Sequence, residues 1–386
     1  MKRSQLATLI RQTGLSLIEL MVSLAIGAFL VLGVVTVFLS NRDSATVENS
    51  LARLQENGRF AMDLMREDLH RTQFLGCNTG DVFLINMIDD PNSAGFSNTL
   101  EGVRGYERGG DGSWAASPPA TTDLNGMAPL ASETSGGARN GSDVLRLRIS
   151  ERINTDDPND PLLTAIVLDG STSVSIDDNR DCSIEQGSRV VVTGCNLTAH
   201  LFEVTNALTC NASAPPNPTT LEFDTSANFV DSISATYDID SEVLLFEDAV
   251  WYVADTQRDR NGFDVWSLFR ESGGVAQEMI EGVEHMQVTF GQRTPGGGSI
   301  RYVDPSDATL NSGLNYEGLI SVRVSLLMQG FDLVRDSDDG RVYVLSGEQV
   351  PAVGAAGVGQ GARHAGGAVQ RDVFTTTVLL RNAPEF

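Results

Sequence analysis

Residues 15–40 read LSLIELMVSLAIGAFLVLGVVTVFLS, and from residue 20 to residue 39 there are 20 consecutive positions without a charge. At about 1.5 Å per residue, such a run crosses the roughly 30 Å hydrocarbon layer of a bilayer as a helix. A single segment in lipid must be helical, because only a helix satisfies its own backbone hydrogen bonds there. A secretory signal peptide needs a shorter apolar core with a small-residue cut site behind it. Here the apolar run is longer, and residues 41–47 continue a helical pattern. Residues 15–40 are therefore predicted to stay in the mature protein as a membrane anchor.

Upstream, residues 1–14 read MKRSQLATLIRQTG, with Lys2, Arg3 and Arg11 as their only charges. Downstream the chain is acidic. The positive-inside rule then keeps residues 1–14 in the cytoplasm and sends everything after the span across the inner membrane. Glu19 sits alone at the head of the apolar run. A carboxylate in that position is costly to desolvate and so marks a functional candidate. The chain as a whole has a formal net charge of −24, which excludes a nucleic-acid partner, since phosphate binding needs a basic face.

Beyond the span the helical period continues. Val47, Leu51, Leu54, Gly58, Ala61, Met65 and Leu69 recur at steps of three and four, with Glu48, Arg53, Glu56, Arg59, Asp63 and Arg66 between them. One helix is predicted from 15 to about 74, its first half (15–40) in lipid and its second (41–76) amphipathic and packed on its own head domain. Residues 77–386 then turn β-rich. Strands are predicted at 143–149, 165–168, 189–193, 200–205, 232–237, 249–254, 265–269, 286–291, 320–328, 341–345 and 373–380. Alternation such as Val322-Arg323-Val324-Ser325-Leu326 fits a sheet with one wet face. Residues 89–142 read as long irregular loops, and 352–367 as a Gly/Ala loop. The fold class expected is α+β, a long helix on a large antiparallel sheet.

All four cysteines, Cys77, Cys182, Cys195 and Cys210, follow the span. An even number on an exported head reads as two disulfides. Two pairings are open: Cys182–Cys195 with Cys77–Cys210, or Cys77–Cys195 with Cys182–Cys210. Their spacing matches no zinc pattern, and His70, His200, His285 and His364 are scattered. His70 is read as a polar-face residue of the helix. No Gly-x-Ser-x-Gly elbow occurs, and Gly357-x-Gly359-x-Gly361 lacks a dinucleotide context. The acidic stretches 255–264 and 332–340 lack the order of a calcium loop and are read as solvated hairpin turns. No catalytic, cofactor-binding or metal residue is assigned.

The motif Gly14-Leu15-Ser16-Leu17-Ile18-Glu19 resembles the type III leader of prepilins. The resemblance implies that a prepilin peptidase cuts after Gly14, leaving Leu15 as the new terminus with a methylated amine. Leu15 stands where the family usually has Phe. It also implies that Glu19, fifth in the mature chain, pairs with the terminal amine of a neighbouring subunit during assembly.

Further along, residues 54–62 (LQENGRFAM), 189–195 with 201–205, 250–254 with 268–270, 281–284 with 286–288, 322–327 and 373–378 with 380–382 are similar in this order to PilW-type minor pilins and the related J-type minor pseudopilins. In that family 281–284 lead from a short helix into a strand. The resemblance implies a pilin-like, non-enzymatic protein without cofactors, in a minor-pilin complex that initiates and caps a type IV pilus. Its implied partners are other minor pilins, the major pilin, a large tip adhesin and the inner-membrane assembly platform. Its implied location is the bacterial inner membrane, head in the periplasm, and then the pilus surface. The alternative within the same plan is a minor pseudopilin of a type II secretion system.

Overall fold

The computed structural model describes residues 16–77, 83–89, 102–115, 124, 126–153, 164–176, 183–195, 198–208, 219–238, 240–294, 299–307, 310, 319–335, 337–354 and 361–381. One helix, α1 (Leu17–Arg71), runs for 55 residues. Seventeen strands follow among the described residues: β1 (Phe83–Asn86), β2 (Val103–Tyr106), β3 (Val144–Arg152), β4 (Ala165–Ile166), β5 (Ser173–Ile176), β6 (Arg189–Gly194), β7 (Thr198–Glu203), β8 (Thr219–Glu222), β9 (Glu242–Arg260), β10 (Phe263–Ser272), β11 (Val275–Glu281), β12 (Val283–Arg293), β13 (Ile300–Val303), β14 (Leu319–Leu333), β15 (Tyr343–Leu345), β16 (Glu348–Val350) and β17 (Val369–Leu379).

The architecture is α+β, but the head is not one sheet. An eight-stranded sheet runs β1-β7-β6-β9-β10-β11, with β3 on the free side of β9 and β2 on β3. Its ladders are antiparallel except β1 with β7, which is parallel. A second, antiparallel sheet runs β13-β12-β14-β17. A small sheet β4-β5-β8 and the hairpin β15–β16 complete the strands.

The central strand is β9, and its side chains alternate between two cores as the two-residue period requires. Ala249, Trp251 and Val253 face a cluster that also holds Leu145, Leu147 and Ile149 of β3, Met286, Val288 and Phe290 of β12, and Val322, Val324, Leu326 and Met328 of β14. Val250, Tyr252 and Ala254 face a second cluster with Tyr106, Leu124, Ala138 and Val144. With both faces covered, the middle of β9, residues 249–254, has no wet side. The β9–β10 hairpin closes at Asn261 (φ 55°) and Gly262 (φ 84°), a two-residue Asn-Gly turn with both residues left-handed.

Several elements differ from expectation. Strand β9 extends well beyond 249–254, because its polar far end, Asp255–Arg260, is held by hairpin pairing with β10 rather than by burial. Residues 232–237 form only an isolated bridge, Tyr237 to Val167. Residues 281–284 contain no helix: β11 passes into β12 through Gly282 at φ 84°. The wet face expected for β14 is partly roofed by the β15–β16 hairpin, where Ser325 Oγ lies 2.8 Å from Ser346 Oγ and is buried. Asp339 is not a solvated turn residue. It is 1% exposed and accepts from Tyr343 Oη at 2.6 Å and Arg341 Nε at 3.0 Å. Burial pushes this carboxyl up, but those hydrogen bonds outweigh burial and hold it well below the usual range. The ends of the 352–367 tract are also pinned, since Val353 N donates to His364 O at 2.9 Å.

Candidate assembly site: the helix and its anchorage

The helix has two environments that change near Ser50. From Leu17 to Asn49 nearly every residue is exposed, Phe29 by 77% and Leu30 by 65%. Such an apolar surface is too large to stand in water. Among the described residues this is the one helix long and apolar enough to cross a membrane. Its Thr36 hydroxyl donates to Leu32 O at 2.8 Å, and Ser23 donates to Glu19 O. These polar side chains are thus satisfied inside the helix, as lipid exposure demands.

Glu19 lies in the first turn of α1, exposed, and its Oε2 accepts the Ser16 amide at 3.4 Å. A carboxylate there is also favoured by the helix dipole. Gly14 and Leu15, the expected cleavage pair, lie outside the described residues.

From Ser50 onward the helix is fastened to the head. Leu54, Ala61, Met62, Met65 and Leu69 enter the core beneath β3, β9, β12 and β14. Each fully buried large side chain contributes about 1.5–3 kcal/mol. Val47, expected in this stripe, is exposed, and Leu51 is only half-buried, so packing begins a turn later than the period suggested. Gly58 marks the closest approach to β17. A Cβ there would sit 2.6 Å from Phe374 Cζ.

The polar part of the seam is centred on Asp68, 7% exposed. Its Oδ2 accepts from Trp251 Nε1 at 2.9 Å and from Arg270 Nε at 2.7 Å. Arg270 also grips both oxygens of Glu247 at 2.8 Å. Those contacts, the Glu247 hydrogen bonds first, hold its guanidinium above its usual range. The helix end therefore meets β9 and β10 through a closed network. Sequence reasoning missed Asp68, although it lies seven residues after Ala61 and three after Met65, on the same face.

The helix ends at Arg71 rather than near 74. Thr72 turns extended (ψ 143°) and bridges to Ile149 of β3. Immediately beyond, Cys77 is bonded to Cys195, just past β6, with a Cα–Cα distance of 5.5 Å. This overturns the pairing Cys182–Cys195 with Cys77–Cys210. Cys182 and Cys210 lie outside the described residues. The disulfide ties the helix exit to the eight-stranded sheet, beside Thr193 Oγ1, which donates to Leu75 O at 3.3 Å.

The histidines serve packing. His70 is half-buried on the helix. His200 Nε2 accepts the Ser234 amide at 3.2 Å, so its proton sits on Nδ1 beside Tyr237 Oη. Burial lowers its pKa to about 4. His285 and His364 are both buried, and their ring Nε2 atoms face the carbonyls of Arg363 (2.7 Å) and Arg341 (2.8 Å). Among the described residues no three of His, Cys, Asp and Glu gather closely enough to hold a metal ion.

Residues 252–382 match the family model described as Type IV Pilus-assembly protein W, and residues 9–35 match the Prokaryotic N-terminal methylation motif. Neither a curated protein nor a solved structure matches the chain. The first match covers the second half of β9 and all of β10–β17, including the strands that carry Arg270 and Phe374. The second spans the start of the exposed half of the helix. These two matches, with one long helix whose second half packs on a strand-rich head, support a PilW-type, type IV pilus-related pilin.

Proposed function

We propose that this protein is a minor pilin that helps to initiate a type IV pilus and caps its end, within a complex of minor pilins. The observation that carries this reading is the division of α1. One continuous helix offers about thirty exposed, mostly apolar residues at one end and is locked by packing, Asp68 and a disulfide to a large head at the other. Such a body transmits force from span to head without a hinge. It suits a subunit lifted from a bilayer into a helical bundle.

In this reading prepilin peptidase cuts after Gly14, and the amine of Leu15 becomes free for methylation. The head, from residue 77 on, folds in the periplasm, where its cysteines oxidise. The span then leaves the lipid and packs among the spans of other minor pilins and the major pilin. Glu19 meets a neighbour's terminal amine there, an ion pair that offsets its desolvation and sets axial register. The head supplies lateral contacts at the tip, where a large adhesin can ride. Its role is structural, and no cofactor enters it.

Immunogold labelling of filaments from cells carrying an epitope-tagged wild-type chain tests the assignment. Gold confined to filament ends is the expected result. Gold distributed along the shaft overturns the tip position. Loss of protein secretion with intact piliation, on deletion of the chain, overturns the pilus role in favour of a secretion pseudopilin.

A further inference from the structure

Where the ends of β2, β3 and β13 meet β12 and the β15–β16 hairpin lies a cavity of about 340 Å³, walled by Glu107, Asp143, Gln287, Asp304, Ser346 and Glu348. Four carboxylates line it, and no basic side chain does. Asp304 and the turn residue Gly347 are exposed at its opening, while Asp143 at its base is only 1% exposed. One oxygen of Asp143, Oδ2, accepts the Val288 amide at 2.8 Å; the other, Oδ1, is buried without a partner. The buried Oε2 of Glu107 also has none.

A buried carboxylate oxygen without a donor forfeits the hydration it has in the unfolded chain, and like charges around one cavity add to that cost. Burial first, and then repulsion from the other carboxylates, pushes Asp143, Asp304 and Glu348 up. The missing element is a positive donor. No residue lining the cavity supplies one, and the stretches that follow Asp304 and Leu345 in sequence, residues 305–318 and 346–361, contain neither Lys nor Arg.

A compact metal ion fits the walls poorly, since no three such ligands among the described residues gather around one point. A guanidinium is planar and presents five N–H donors in a fixed fork, which reaches carboxylates on separate walls. We propose that this cavity binds a guanidinium group, carried by an arginine of a neighbouring subunit. The chemistry of the cavity stands apart from the assembly reading; only the neighbouring subunit as carrier rests on it.

The test titrates ethylguanidinium, and separately calcium, into the full mature chain in detergent micelles, followed by calorimetry. Saturable binding of ethylguanidinium is expected. It should weaken about tenfold or more in Glu107→Gln/Asp143→Asn, given the strength of charge-assisted hydrogen bonds. A second variant, Asp304→Asn, changes only the exposed opening and should also weaken binding while its circular dichroism melt stays that of wild type. Absent binding, or binding unchanged in both variants, overturns the site. Tighter binding of calcium through the same carboxylates overturns the guanidinium assignment. Ethylguanidinium binding with wild-type incorporation of the double variant into filaments overturns the subunit as carrier. Failure of wild type to enter filaments at all would instead reject the assembly reading.

Discussion

The indole Nε1 of Trp251 donates to Asp68 Oδ2 at 2.9 Å, joining two residues 183 positions apart. Trp251 is 1% exposed on the central strand, and Asp68 belongs to the last turns of the long helix. This bond and the Arg270 ion pair beside it set the rotation of the helix on the head. Replacing Asp68 by Ala leaves the indole N–H unpaired and Arg270 with Glu247 alone. We expect a loss of about 1–3 kcal/mol, read as a lower urea midpoint for the full chain in detergent. Asp68→Asn keeps an acceptor for Trp251 and should lose less. Equal losses in the two variants would contradict the indole bond as a contributor.

At Gly58 the helix backbone rests against the Phe374 ring. Gly58→Ala should gain helix propensity yet destabilise by about 1–3 kcal/mol through overpacking. The double variant Gly58→Ala/Phe374→Leu should recover part of that loss. A stabilising Gly58→Ala single variant would mean that the ring yields freely.

Non-reducing peptide mapping of periplasm-derived protein should recover Cys77 joined to Cys195. The bond closes a loop with a separation of 118 residues, and removing both cysteines is expected to cost about 2–5 kcal/mol. The same digest is expected to join Cys182 to Cys210, the pair that remains. Recovery of Cys182 linked to Cys195 would contradict both statements.

Glu19→Ala is expected to leave the head folded and the leader removed while cutting incorporation into filaments by about tenfold, as loss of an ion pair in low dielectric implies. Quantitative blotting of sheared filaments reads the effect. Mass spectrometry of the mature wild-type chain should find it starting at Leu15, and Gly14→Val should leave an uncut precursor. Wild-type piliation by Glu19→Ala would remove the residue from assembly.

Acid should weaken the head. Burial is the leading cause that depresses His200, His285 and His364. Below the usual imidazole value of about 6.5 the unfolded chain binds protons at these positions and the folded chain does not, so stability rises with pH. Their contribution is fully present above that value. It declines as pH falls, for His200 until about 4. Each histidine adds a slope of up to about 1.4 kcal/mol per pH unit in this window. The carboxylates raised by the acidic cavity oppose this, because they bind protons more readily folded than unfolded. Urea midpoints at about pH 7 and about pH 5 should differ less in His200→Asn than in wild type. An identical pH dependence in the two would exclude His200 as a contributor.

What can be read along a line of residues was legible without coordinates. Hydropathy over residues 20–39 marks the long exposed apolar helix. The three- and four-residue recurrence from Leu54 to Leu69 marks the buried face, and alternation in β14 marks a strand. These follow from helix and strand periods, which act locally. The period could not tell where the head begins to cover the helix, so Val47 was counted in a stripe it does not join. Nor could it say that the end of β9, poor in apolar residues, would be held by an Asn-Gly hairpin.

Pairings between distant residues belong to the tertiary structure alone. Four cysteines allow three connectivities, and only the meeting of the helix exit with the end of β6 selects Cys77 with Cys195. Asp68, three residues after Met65 on the helix, gains its role only when β9 and β10 bring it Trp251 and Arg270. Four carboxylates between positions 107 and 348 gain a shared meaning only when five elements close around one cavity. The physical reason is common to all three. Propensity and hydropathy are properties of a segment, whereas desolvation and the partner that relieves it depend on which segments the fold packs together.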